Sequence, residues 1–120
     1  MTLTREQILE AKDIQMKKIN VPEWGGDIYV KGLSGIANEK FQESIIEIKE
    51  DGKRKVTYKY MRAKLLALTI CDENGNLLFS EEDIEALDNK SSYVLSIIYE
   101  TAQRLSGLTK GDIENLRKNL

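Results

Sequence analysis

Asp72, Asn74, Asn76 and Asp83 stand at positions 1, 3, 5 and 12 of a possible calcium loop. Such a loop needs a glycine at position 6 to turn sharply and a bidentate glutamate at position 12. Leu77 and Asp83 occupy those places, so the spacing reads better as an Asn74-Gly75 turn running into a capped helix. Carboxylates also gather at Glu81, Glu82, Asp83, Glu85 and Asp88. Paired acids can move protons or hold a metal. Directly behind Ser80, however, they suit the positive end of a helix dipole. The chain has no histidine, which removes the commonest general base and the commonest zinc ligand. Cys71 is the single thiol, so no intramolecular disulfide can form, and it is expected to pack as a small apolar residue at a helix end. The residues predict no catalytic centre, no metal and no cofactor.

Residues 53–64 are the other place where chemistry could reside. Lys53, Arg54, Lys55, Lys59, Arg62 and Lys64 occur there without an acid, and Tyr58 and Tyr60 lie among them. Cations with interleaved aromatics can hold phosphates and stack on bases. In a helix read from Arg54 to Cys71, Lys55, Lys59 and Arg62 share one face. The competing reading is a solvated face paired with Glu47, Glu50 and Asp51. The net charge of −2 favours that second reading, and no nucleic acid is expected as a partner. A small nucleic-acid-binding regulator is the alternative it leaves. The basic and acidic stretches together allow self-association.

These groups need a scaffold. At 120 residues, 41% apolar and 32% charged, the chain fits a single domain, 1–120, with a true core. It shows neither a membrane-spanning run nor a signal-peptide pattern, so a cytoplasmic protein is expected. Thr4 and Gln7 make a capping box for a short helix over 4–12. Lys17 to Trp24 and Asp27 to Gly32 read as strands around a Gly25-Gly26 turn, with Pro22 marking an edge strand. Ser34 caps a helix in which Ala37, Phe41, Ile45 and Ile48 share a face. Asp51-Gly52 breaks it, and the 54–71 helix follows, its second half buried nearly all round. Ser80 starts a short helix holding Ile84 and Leu87. Ser91 to Leu105 forms a longer one that Gly107 ends, and Thr109 caps the last. The expected fold is α+β and mostly helical. One β-hairpin (16–32), preceded by a short helix within 1–13, packs on a bundle of about five helices, with the helical part over 35–120. Trp24, beside the turn, is either a core anchor or a partner-binding anchor.

Several stretches also carry a likeness. LTREQILEAKDI, then VPEW, GG, a short strand and GLSG, and later CDENGNLLFSEEDIEAL and AQRLSGLTKGDIENL, resemble the tail assembly chaperones of tailed bacteriophages. The nearest type is that of prophages in Gram-positive bacteria, including PBSX-like elements. The resemblance implies a non-catalytic chaperone that holds the tape measure protein soluble and helps recruit tail tube subunits. It would act in the host cytoplasm and be absent from the finished virion. The resemblance also implies the short product of a gene pair joined by frameshifting. Trp24, Tyr29 and Phe79 are then the candidate partner-binding residues, as large apolar side chains outside the helical core. A tail-completion or connector protein that stays in the virion is the remaining alternative.

Overall fold

The structure is a computed structural model that describes residues 1–108 and 110–120. Helix α1, Arg5–Glu10, starts where its capping box requires. The Gln7 amide donates to Thr4 Oγ1 at 3.2 Å, and the Thr4 amide donates to Gln7 Oε1 at 2.9 Å. Strand β1, Met16–Val21, pairs antiparallel with β2, Gly26–Lys31, setting Ile19 opposite Ile28 and Val21 opposite Gly26. The turn between them departs from the expected two-glycine form. Pro22–Trp24 winds into a 3₁₀ turn, and Gly25 alone takes a positive φ, of 79°, with its N–H donating to Pro22 O at 3.0 Å. Gly26 is the first residue of β2. Proline explains the change: its fixed φ suits the first position of a helical turn, so the first strand ends at Val21 rather than Trp24.

A third strand, missing from the one-hairpin expectation, completes this sheet. Strand β5, Ile70–Cys71, lies on the far side of β2, giving the order β1-β2-β5. A separate hairpin pairs β3, Ile46–Ile48, with β4, Arg54–Val56. Two helix expectations are corrected here. Helix α2, Gly35–Ser44, stops before Ile48, and the helix expected from Arg54 begins only at Met61. At the reversal Gly52 takes φ 82°, and Asp51 Oδ1 accepts from the Lys53 amide at 2.9 Å. The residues beyond it, Val56, Thr57 and Tyr58, are β-branched or aromatic and favour a strand. Tyr60 then sits at φ 58°, a left-handed conformation through which no right-handed helix can run.

Helix α3, Met61–Ala67, is the centre of the molecule, with Met61, Ala63, Leu65, Leu66 and Ala67 all buried. It packs against α2, against α4, Ile84–Asp88, and against α5, Ser92–Leu105. Helix α5 buries Val94, Leu95, Ile98, Thr101 and Ala102, the stripe its period dictates. Val30 from the sheet, Phe41 and Ile45 from the α2 region and Val56 from β4 complete the core. Gly32 lets the end of β2 abut the end of α5: a Cβ there would lie 2.5 Å from Leu105 O. The Leu33 amide, donating to Ser106 Oγ at 3.0 Å, fastens the same junction. Helix α6, Lys110–Lys118, leans Ile113 and Leu116 on the core. The expected Thr109 cap falls outside the described residues. Cys71 is buried on a strand, not at a helix end, and burial pushes its thiol pKa up. Among the described residues no helix is long and apolar enough to cross a membrane.

Candidate functional site

Two of the three aromatic residues singled out in the sequence meet. Trp24 is delivered by the 3₁₀ turn of the hairpin, and Phe79 by the extended stretch just before the acidic helix start. That start is fixed by a capping box: the Ser80 amide donates to Asp83 Oδ2 at 2.9 Å. The turn leads straight into α4, which presents Ala86 and Leu87, and Lys90 follows just beyond its end. Together Trp24, Phe79, Asp83, Ala86, Leu87 and Lys90 line a hollow of 320 Å³. Phe79 also lines a neighbouring hollow of 260 Å³, whose apolar lining includes Leu68, Leu77 and Ile84. Phe79 lines both hollows, and the two together are the Phe79 groove. Lys40, Lys64 and Lys90 are its cations, and Glu81 and Asp83 its acids. Lys64 Nζ donates to Ser44 O at 2.7 Å, and partial burial pushes its pKa down, with Lys59 adding to the effect.

Trp24, half-buried, packs partly on the core and also lines the groove. Tyr29 is not brought to this site. It lies opposite Lys18 and Cys71 and alternates with the core residue Val30, so it points to the other face of the sheet.

The basic face does not form. Lys55 is on β4, with Nζ 3.5 Å from Glu47 Oε2. Lys59 lies in a loop, 5.2 Å from the centre of the Tyr60 ring. Arg62 is on α3, and its Nη1 donates to Ser96 Oγ at 2.7 Å and Ser92 Oγ at 3.0 Å. The strand and the left-handed Tyr60 take these cations off a common helix. The calcium-like loop is a self-contained turn. Asp72 Oδ1 accepts from the Asn74 amide at 2.8 Å and the Asn76 amide at 2.9 Å. Those bonds, the Asn76 amide first, hold the carboxyl below the usual aspartate range.

The groove offers apolar surface edged by charge, which is the chemistry of binding a partly apolar chain. Ile84 and Leu87 were visible in the sequence as apolar positions of a short helix. Ala86 and Lys90 carried no signal, because only the docking of α4 beside the hairpin turn gives them a role.

A family model described as phage tail assembly chaperone matches residues 4–119. A comparison with curated protein sequences finds no match. Among solved structures, the tail assembly chaperone of bacteriophage HK97 is similar, with a TM-score of 0.59 and 24% identity. The likeness covers 83% of this chain and 94% of that one, and at this identity it speaks to the fold.

Proposed function

Because the chain belongs to the phage tail assembly chaperone family, we propose that it keeps the tape measure protein soluble during tail assembly and helps bring tail tube subunits to it. It works in the host cytoplasm, performs no chemistry and leaves before the virion is finished. The observation that supports this reading is the groove around Phe79. Trp24 and Phe79 are far apart in sequence, yet both edge one apolar surface with Leu87 at its base. A long helical protein displays apolar stripes until the tube encloses it, and such stripes aggregate. A groove of this kind accepts the apolar face of a helix through anchors at i, i+3, i+4 and i+7. Lysines at its margin pair with acids on the helix's polar side.

The test is co-expression with the tape measure protein. Ala86 is exposed and lines the groove, so Ala86→Arg fills the groove without touching the core. Soluble recovery of the long protein should rise with the wild-type chain and return to its unassisted level with Ala86→Arg. Equal recovery with both variants would remove the groove from the mechanism. No gain with either would remove the holding role. Recovery of this chain in purified particles would favour the connector alternative.

A further inference from the structure

A cleft of 570 Å³ opens between α5, α6 and the approach to α3. Helix α5 gives it Tyr99, Glu100 and Gln103, neighbours on one face because they stand three and four residues apart. Glu114 of α6 forms another wall, and Tyr58 and Met61 come from just before α3 and from its first turn. The left-handed Tyr60 turns the chain sharply between these last two, which leaves Tyr58 57% exposed while Met61 enters the core. The volume is in the range of small-ligand and side-chain pockets. The cleft shares no lining residue with the Phe79 groove.

Its charge is one-sided. Two carboxylates line it, and among the described residues no lysine or arginine does. Glu114 is already paired, accepting from Arg117 Nη2 at 2.7 Å. Glu100 is exposed and, among the described residues, has neither an ion pair nor a hydrogen bond. Arg62 stands at the border, its Nη1 held by Ser96 Oγ at 2.7 Å and by Ser92 Oγ at 3.0 Å. An anionic guest would meet Glu100, and a neutral apolar one gains nothing from it. An alkyl cation uses the whole lining. Its charge faces aromatic rings and a carboxylate, and its stem lies along Met61. A guanidinium suits this lining better than an ammonium, because it is planar, stacks on aromatic faces and bonds a carboxylate through two N–H groups at once.

We propose that this cleft receives an arginine side chain presented by a partner protein, with its guanidinium stacked on Tyr58, paired with Glu100 and donating to the Gln103 side-chain carbonyl. The chain's own nearby arginines do not fill the place, since Arg62 is held by serine hydroxyls and Arg117 by Glu114. The contact is separate from the Phe79 groove, so one molecule can hold an apolar helix there and a basic segment here. Failure of either site leaves the other standing.

The probe is arginine blocked at both ends, N-acetylarginine methylamide, titrated into the isotope-labelled full-length chain and followed by amide NMR shifts. Saturable shifts should appear at Tyr58, Tyr99, Glu100 and Gln103, with the millimolar affinity that one side chain supplies. The citrulline analogue has the same shape without the charge and should bind about fivefold more weakly or worse. Glu100→Gln and Tyr58→Ala should each weaken arginine binding to a similar extent, about fivefold. Both residues are exposed, so the melting temperature should be kept. An alanine pentapeptide with arginine at its centre should bind at least as tightly as the blocked residue. Loss of binding there would mean that the cleft takes a free small cation, and would overturn the proposal. So would an absence of saturable shifts, equal binding of citrulline, unchanged binding by Glu100→Gln, or shifts confined to Trp24 and Phe79.

Discussion

At the scale of single residues, three glycines within eight positions do different work. Gly25 is required for its backbone: nothing crowds a Cβ there, but φ is 79°. Gly25→Ala should cost about 1–2 kcal/mol. Gly26 has ordinary strand geometry and open space around it. Gly26→Ala should stay within about 0.5 kcal/mol. Gly32 is required for its missing side chain, since a Cβ would press on backbone at Leu105. Gly32→Ala should cost about 2 kcal/mol or more, as overpacking against backbone does. Urea unfolding of the three variants checks the order; equal effects at Gly25 and Gly26 would restore a two-glycine turn. Asp72 gives a pH signature. Its carboxyl is held low by the Asn76 and Asn74 amides, so ionised Asp72 stabilises the fold. That contribution is full above the ordinary aspartate value of about 3.9 and is lost as pH falls through the lower folded value. Asp72→Ala should lower the melting temperature at pH 7 and flatten its decline below about pH 4. An unchanged melting temperature at pH 7 would show that the loop contributes nothing.

At the scale of elements, what the sequence made legible followed periodicity and capping. The capping box of α1, the Ser34 and Ser91 caps and the buried stripe of α5 stand where local pattern places them, because each depends on residues within a turn or two. The β3–β4 hairpin was hidden because its three-residue strands are too short to show alternation, and Ile45 and Ile48 also fit one helical face. Strand β5 was hidden because Ile70 and Cys71 continue an apolar run and become a strand only by pairing with β2. Half of the groove was readable for the same reason: Trp24 and Phe79 stand out as large aromatics, whereas Ala86 depends on how α4 docks. The hairpin makes a sharp prediction. Ile45 is fully buried, while Ile48 is 69% exposed on β3. Ile45→Ala should cost about 2–5 kcal/mol. Ile48→Ser should cost under about 0.5 kcal/mol. Chemical denaturation reads both, and comparable losses would return the segment to a continuous helix.

At the scale of the whole molecule, a small core centred on α3 leaves apolar surface outward at the Phe79 groove, the proposed client site, and on the N-terminal arm. Because every residue of 1–14 is exposed, deleting residues 2–14 should move the melting temperature of the body by less than about 2 °C, below the shift that the loss of 1 kcal/mol produces. A large drop would place the arm in the core's stability. The holding role itself is tested most directly with purified components. Tape measure protein is diluted from denaturant into buffer, and its aggregation is followed by light scattering with increasing amounts of this chain. Wild-type chain should suppress the scattering in a saturable way, and Ala86→Arg, folded to the same melting temperature, should not. Undiminished scattering at saturating wild-type chain would contradict the holding role.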